Sequence, residues 1–179
     1  MEACVKAGKT KGIGVSNWSI PKLKLLLDNC SIPPAINQVE RHPYPQQPAL
    51  LQFCQEIGIH VTCYSPLGSM DRADDFKAAD EPQILETPTI VDIAGKRGTT
   101  PAQVVLQWAM QQGTSAIPKS VNPGRMAENL AAAVQQQPLS PEEMEAMNAL
   151  NADYRFVKGD FFTEAPGCPH TMQSLWDDE

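Results

Sequence analysis

The sequence predicts an α/β fold, a parallel sheet covered by helices, and three observations support this prediction. Short apolar segments alternate with helical patterns four times along the chain. The short segments are apolar at nearly every position, which is typical of strands that helices cover on both faces. Helix-capping residues and glycines stand at the boundaries between segments. On this pattern alone, a doubly wound sheet and a (β/α)8 barrel both remain open.

The first part of the chain supplies two strand–helix units and a third strand. Residues 2–8 resemble the last turns of an amphipathic helix that ends at a glycine, so the chain is expected to begin inside an α/β repeat. The β-rich segment KGIGVS predicts the first strand at residues 11–16, and Ser19 can cap the helix after it. The next strand, helix and strand are predicted at residues 35–40, 47–58 and 59–65.

The second part of the chain begins with a polar segment, residues 66–86, which has no clear period and predicts a loop. Two helices follow, since residues 87–98 and 100–113 each open with Thr-Pro and end on Gly. Residues 114–120 predict the fourth strand, and a helix begins beside Pro123. Ser140 and Glu143 have the spacing of a capping box and predict a helix over residues 140–151. The tail from Tyr154 shows no period and is predicted to be a loop.

Composition limits the classes of function. The formal net charge is -7 and the pI about 4.9, which argues against a nucleic acid or a membrane surface as the main partner. Fourteen Lys and Arg residues still allow a local anion site. The five cysteines form no CxxC pair and mostly stand in apolar segments, which favours a reducing, cytoplasmic compartment. No apolar run is long enough for a membrane span, and the N-terminus does not resemble a signal peptide.

Polar side chains stand at the carboxyl end of all four predicted strands. Ser16 and Asn17 follow the first strand, and Gln38 and Glu40 end the second. The third ends on Tyr64-Ser65 and the fourth on Lys119-Ser120. Each of these alone could be a helix cap, a turn or a solvated side chain. In parallel α/β folds, binding and catalytic residues lie at the carboxyl edge of the sheet. Four polar strand ends together therefore predict a binding site.

The stretch AIPKSVNPGRMAEN, residues 116–129, predicts what binds there. It places a lysine, a serine hydroxyl and an arginine around the first turn of a helix. A helix N-terminus carries partial positive charge, so further cations there would repel it unless an anion lies between them. The stretch therefore predicts a phosphate site.

Four motifs together resemble the aldo-keto reductase family. GIGVSNW, NQVERHPY, YSPLGS and IPKSVNPGRMAEN occur in this order, and the similarity runs from about residue 6 to residue 151. The resemblance implies the C-terminal half of a (β/α)8 TIM barrel with outer helices. It also implies a cofactor, NADP(H), bound across the strand ends without a Rossmann fold.

The resemblance assigns roles to thirteen residues. Ser16, Asn17 and Gln38 would bind the nicotinamide carboxamide, for which hydroxyl and amide groups are suitable donors and acceptors. Tyr64 would stack on the nicotinamide ring. The residues expected along the pyrophosphate and ribose are Ser65, Leu67 and Ser69.

The same resemblance divides the phosphate stretch into two groups. The residues implied to hold the 2′-phosphate of NADP are Lys119, Ser120, Asn122 and Arg125, while Glu128 and Asn129 would reach the adenine. The alternative is an exposed basic helix start without a ligand. His42 resembles a catalytic imidazole beside Glu40, but in the family this His-Pro-Tyr turn is structural, so no catalytic role is expected for it.

The family's catalytic tyrosine, lysine, aspartate and histidine belong to the first half of the barrel, and the chain is expected to begin after them. Hydride addition leaves an alkoxide that an acid must protonate. None of Tyr44, Tyr64 and Tyr154 is expected to replace the missing acid, so no catalytic residue is assigned here. Three interpretations compete. The first is an NADP-dependent reductase of aldehydes, ketones or sugars whose N-terminal half is absent through truncation or an incomplete gene model. The others are a nucleotide-binding or regulatory module without turnover, and a self-associating half barrel.

The domain prediction is a single partial domain over residues 1–179, in which residues 152–179 form a tail that shapes the substrate pocket. The tail and its surroundings offer aromatic side chains for an apolar pocket: Phe156, Phe161, Phe162, Trp176 and, near the cofactor end, Trp18. The expected partner is a small-molecule carbonyl substrate. Four strands cannot close a barrel, so the open sheet edges predict self-association.

Overall fold

The computed structural model describes residues 1–78, 81–134, 137–164 and 166–177. The predicted parallel α/β fold is confirmed. Four strands form one sheet in the order β1-β2-β3-β4, and helices follow them along the chain, as in part of a (β/α) barrel. The strands are β1 (Gly14–Ser16), β2 (Ile36–Glu40), β3 (His60–Tyr64) and β4 (Ser115–Ala116).

The helices lie where the capping residues predicted them, with small differences at the ends. Those before the tail are α1 (Glu2–Lys6), α2 (Ile20–Asn29), α3 (Pro48–Glu56), α4 (Pro88–Arg97), α5 (Pro101–Gln111), α6 (Pro123–Val134) and α7 (Pro141–Asn148). Two 3₁₀ turns, Asp74–Phe76 and Ile84–Glu86, interrupt the segment that was predicted as a loop. None of the helices in the described ranges is both long and apolar enough to cross a membrane.

The chain divides into two compact units. The first contains Met1–Val39, Pro48–Val61 and the described part of Val157–Glu179, and the second contains Glu40–Gln47 and Thr62–Phe156. The prediction of a single partial domain over residues 1–179 stays a prediction.

In the first unit, β1 and β2 pair in parallel, with Gly14 opposite Ile36 and Ser16 opposite Gln38. A Cβ on Gly14 would lie 2.9 Å from the carbonyl oxygen of Ile36, so this close pairing requires glycine. The apolar faces of α2 and α3 pack with β2 and β3 residues into one cluster, in which Leu23 and Cys54 are fully buried. Burial raises the pKa of the Cys54 thiol, which behaves here as a small apolar side chain.

The tail was predicted to be a loop, and this prediction is wrong in part. Two short helices occur there, α8 (Asp160–Thr163) and α9 (Met172–Trp176). Lys22 of α2 donates hydrogen bonds to the α9 carbonyls of Ser174 and Leu175, at 3.1 and 2.7 Å. Its ammonium group also lies 2.7 Å from Asp177 Oδ2. These partners are about 150 positions away from Lys22 in sequence, so local periodicity could not predict the helices.

In the second unit, β3 and β4 pair in parallel, with Thr62 opposite Ser115 and Cys63 opposite Ala116. β4 is shorter than its predicted span of residues 114–120; Pro118 in that span has no N–H for a ladder hydrogen bond. The core of this unit surrounds Trp108 on α5 and includes Ile90, Met147 and Phe156. This core supports the loops that follow β3 and β4.

Candidate functional site

A cavity of about 510 Å³ lies in the second unit, at the carboxyl ends of β3 and β4. Eight residues that the sequence predicted for cofactor binding line it. The segment after β3 contributes Ser65, Leu67 and Ser69. The segment after β4 and the first turns of α6 contribute Lys119, Ser120, Arg125, Glu128 and Asn129.

The segment after β3 has an unusual backbone. Ser65 and Ser69 adopt left-handed conformations with φ of +48° and +49°, and Gly68 between them has φ of +88°. Non-glycine residues in this region cost free energy, so packing must hold them there. The hydroxyl of Ser69 donates to the hydroxyl of Ser65 at 2.5 Å, which ties the two ends of the turn together.

The start of α6 is built by Ser120 and Asn122. The Oδ1 atom of Asn122 accepts a hydrogen bond from the N–H of Arg125 at 3.1 Å, which makes Asn122 the N-cap of α6. The hydroxyl oxygen of Ser120 accepts from the N–H of Asn122 at 3.2 Å. Both side chains therefore shape the turn, and Asn122 does not line the cavity although it was predicted to bind phosphate.

The two cations of the cavity differ in their surroundings. The ammonium group of Lys119 donates to the Asp71 carboxylate, and this hydrogen bond lowers the pKa of Asp71. Arg125 is exposed, and its guanidinium group has no ion-pair partner among residues 1–78, 81–134, 137–164 and 166–177. Since Glu128 also lines the cavity, the formal charges of the lining side chains cancel.

The cavity also faces the beginning of α5. Thr100 and Pro101 line it, and Thr100 caps α5 by accepting a hydrogen bond from the N–H of Gln103 at 3.3 Å. Arg125, in the first turn of α6, also lines the cavity. Two helices of 11 and 12 residues thus present N-terminal turns, with their partial positive charge, to the same cavity.

The first unit holds the other predicted group, Ser16, Asn17 and Gln38. The hydroxyl of Ser16 and the N–H of Asn17 both donate to the Gln38 carbonyl, at 2.8 and 3.0 Å. Asn17 adopts a left-handed conformation with φ of +59°. Its Oδ1 atom is buried and has no hydrogen-bond partner within the described residues, so it is an acceptor available for a ligand.

Asn37 is a residue of this region that the sequence analysis missed. It is fully buried, and its Nδ2 donates to the Trp18 carbonyl at 2.8 Å while its Oδ1 accepts from the Trp18 N–H at 3.4 Å. It therefore fixes the chain directly after Ser16 and Asn17. A polar residue in a buried strand was the available signal, but nothing in the sequence identified its partner.

Glu40 and His42 lie in the core of the second unit. Both are fully buried, and His42 Nε2 lies 3.0 Å from Glu40 Oε1. The Tyr44 N–H donates to His42 Nδ1 at 3.4 Å, which assigns the ring proton to Nε2 and makes Glu40 its acceptor. Burial lowers the pKa of His42, so the ring is neutral near pH 7.

Tyr64 ends β3 and is half-buried. It does not line the cavity, so its stacking role stays a prediction. Of the tail aromatics, Phe161 and Phe162 are exposed, whereas Phe156 is a buried core residue. The described residues contain no group of His, Cys, Asp and Glu side chains that could hold a metal ion.

Comparison with known proteins gives consistent matches. The model of the Aldo/keto reductase family matches residues 1–152. An aldo/keto reductase of Synechocystis sp. is 49% identical over 178 residues, which are 99% of this chain and 54% of the relative. Aldo-keto reductase family 1 member A1 of Rattus norvegicus is 43% identical over 157 residues, or 88% of this chain and 47% of the relative. The 7-acetyl-epi-neemfruitin B aldo-keto reductase of Melia azedarach is 40% identical over the whole chain and 53% of its own length. The chain thus spans about half the length of these relatives.

Proposed function

Because the chain belongs to the aldo/keto reductase family, we propose that its cavity binds the adenosine end of NADP(H) in an oxidoreductase of aldehydes, ketones or sugars. The observation that carries this proposal is the convergence of eight predicted residues on one cavity of about 510 Å³. A pocket of this size is typical of sites for small molecules and cofactors.

The 2′-phosphate would interact with Arg125 and Lys119. Arg125 offers a planar fork of N–H donors, and within the described residues no ion-pair partner would have to be displaced from it. Lys119 is paired with Asp71, so a phosphate would compete with that carboxylate for the ammonium group. The cap of α6 occupies Asn122 Oδ1, which leaves its Nδ2 as the donor for phosphate.

The carboxamide of the nicotinamide would interact with the Ser16–Asn17 turn and with Gln38. The buried Oδ1 of Asn17 is an acceptor that matches the NH₂ group of a carboxamide. The side-chain amide of Gln38 can both donate and accept hydrogen bonds. The hydrogen bonds from Ser16 and Asn17 go to the main-chain carbonyl of Gln38 and not to this amide.

When bound, NADPH would supply the hydride for a carbonyl carbon, and the resulting alkoxide would need a proton. The three tyrosines of the chain are poorly suited to donate it. The Tyr44 hydroxyl is bonded to Thr87 at 2.6 Å, Tyr154 packs edge-on against Phe156, and Tyr64 is assigned to stacking. We therefore propose that this chain binds the cofactor and, alone, does not reduce carbonyl compounds.

A binding titration and an activity assay test the proposal together. We expect NADPH and 2′,5′-ADP to bind the 179-residue chain more tightly than NADH, by about tenfold for one charged phosphate contact. An assay with NADPH and a reactive aromatic aldehyde should show no turnover above buffer. Equal affinity for NADPH and NADH would contradict the phosphate assignment. Turnover that is lost in Tyr44→Phe or Tyr64→Phe would contradict the proposed lack of an acid. Binding without turnover is also what a regulatory nucleotide-binding module requires.

We also propose that the chain self-associates, and a separate observation on α6 supports this. Met126, Leu130 and Val134 stand four residues apart on α6 and are exposed by 54%, 64% and 66%. Such a stripe on one helix face is unusual for a surface that stays in water. The cytoplasmic location stays a prediction that rests on the cysteine pattern.

A further inference from the structure

The buried carboxylate of Glu40 holds a residue that is far away in the sequence. Its Oε1 accepts a hydrogen bond from the N–H of Phe156 at 2.7 Å and a second from His42 Nε2 at 3.0 Å. A carboxylate that is fully buried is costly unless hydrogen bonds satisfy it. These bonds therefore fix the main chain of Phe156 to the end of β2.

The ring of Phe156 packs between His42 and the segment after β3. Its centroid lies 4.7 Å from that of the His42 ring and 5.4 Å from the Arg72 guanidinium carbon. A Cβ on Gly68 would lie 3.4 Å from Phe156 Cε2, so the ring occupies the space where a side chain at position 68 would stand. Phe156 is only 3% exposed.

We name residues 65–72 the wall segment, because six of them line the cavity: Ser65, Pro66, Leu67, Ser69, Met70 and Asp71. Gly68, Arg72 and Phe156 are not among the lining residues. The wall segment thus lies beside the Phe156 ring at Gly68 and Arg72, two residues that do not line the cavity.

Arg72 adds bonds within and beyond this segment. Its Nη1 donates to the Gly68 carbonyl at 3.4 Å, and its Nη2 donates to Glu81 at 2.5 Å. The segment needs such support because Ser65 and Ser69 are held in left-handed conformations. A strained backbone persists only where its surroundings determine it.

We propose that Glu40 and Phe156 are positioning residues for cofactor binding: Glu40 fixes Phe156, and the Phe156 ring holds the wall segment in the conformation that lines the cavity. This inference rests on the proposed function. Neither residue touches the cofactor, so their effect on binding is transmitted through Gly68 and Arg72.

The inference predicts different effects on the binding of two ligands, NADPH and 2′,5′-ADP. The 2′-phosphate, which NADPH and 2′,5′-ADP share, is assigned to Lys119 and Arg125. The pyrophosphate, which only NADPH has, is assigned to Ser65, Leu67 and Ser69 of the wall segment. A loosened wall segment should therefore weaken NADPH more than 2′,5′-ADP.

The test compares Phe156→Leu, Glu40→Leu and Glu40→Gln in the full chain. Phe156→Leu keeps an apolar side chain so that the unit can fold, and Glu40→Gln keeps an oxygen that can accept both hydrogen bonds. In the two leucine variants we expect amide exchange in residues 65–72 to rise about tenfold relative to α5. The ratio of the NADPH and 2′,5′-ADP dissociation constants should rise about fivefold. Glu40→Gln should remain close to the wild type in both measurements.

Leu139→Ala is the matched control, because Leu139 is buried in the same apolar cluster. It should lower the protection of the whole unit and leave the ratio of dissociation constants unchanged. The inference is overturned if Phe156→Leu leaves exchange in residues 65–72 unchanged, or if Leu139→Ala raises the ratio as much. A wild-type chain that binds neither ligand would instead overturn the proposed function, and the exchange measurement would still decide whether Phe156 holds the wall segment.

Discussion

The side chain of Asn37 binds both main-chain groups of Trp18, its Nδ2 lying 2.8 Å from the carbonyl oxygen and its Oδ1 3.4 Å from the nitrogen. This pair connects β2 to the residue that follows Ser16 and Asn17 in the chain. A fully buried amide that satisfies two backbone groups is difficult to replace.

Asn37→Leu should therefore destabilise the protein by about 1–3 kcal/mol, because two backbone groups of Trp18 lose their partner. Urea unfolding followed by circular dichroism measures the loss. Asn29→Ala is the control, since Asn29 is exposed and its amide donates to the carbonyl of Leu25 in its own helix. This control should change stability by about 0.5 kcal/mol or less. Equal effects of the two substitutions would contradict the role given to Asn37.

Arg125→Ala should weaken NADPH about tenfold or more and NADH very little, since a hydrogen bond to a charged group contributes about 1.5–3 kcal/mol. Calorimetric titration of both cofactors checks this result. Lys96→Ala removes the same formal charge from α4, where Lys96 pairs with Asp92 and does not line the cavity. If Lys96→Ala has the same effect as Arg125→Ala, only net charge is involved and the 2′-phosphate assignment fails.

The stability of the protein should fall as the pH is lowered below about 6.5, because burial lowers the pKa of His42 from its ordinary value of 6.5. The unfolded chain then binds a proton that the folded chain resists, so the contribution is complete above 6.5 and is lost as the pH falls toward the folded pKa. The slope is at most about 1.4 kcal/mol per pH unit for one proton.

Urea unfolding at several pH values measures this slope. Groups around His42 in its own unit include Glu40, which favours the protonated ring, and Arg155 and Arg72, which disfavour it. The slope should vanish in His42→Gln and persist in His60→Gln, since His60 is exposed on β3. A slope that is unchanged in His42→Gln would assign it to other groups.

The purified chain should be dimeric or larger, or loosely packed, because α6 exposes an apolar stripe and β4 is the last strand in the sheet order. Leu130→Glu should shift the distribution toward monomer in light scattering. Leu25→Glu on α2 is the control, since Leu25 is similarly exposed, by 68%. A monodisperse wild-type monomer with strongly protected amides in all four strands would contradict the prediction.

Helix starts could be predicted from the sequence where the capping residue lies next to the helix in the chain. Ser19, Thr100 and Ser140 were recognised as helix starts, and each accepts a hydrogen bond from the backbone N–H three residues later. Thr87 shows the limit, because α4 begins there but its hydroxyl bonds Tyr44 and makes no cap. The sequence thus predicted where the helix begins but not which hydrogen bond the Thr87 side chain makes.

Contacts between distant residues could not be predicted in this way. Glu40 and Phe156 are 116 positions apart, and the polarity of Glu40 does not indicate which N–H it accepts. The same is true of Asn37 and Trp18, and of the tail helix α9, whose carbonyls bond Lys22. The cavity residues were found through the four family motifs, which carry long-range information that periodicity lacks.

The turn before α6 contains two kinds of side chain with different roles. Ser120 and Asn122 fold the turn through hydrogen bonds to its backbone. Lys119 and Arg125 contribute charge instead, and the Lys119 ammonium group donates to Asp71 rather than to the turn. Mutations can therefore exchange the two cations while the scaffold of the turn stays intact. If the proposed 2′-phosphate assignment holds, changing residues 119 and 125 alone would suit the site to a cofactor without that phosphate, both in evolution and in protein engineering.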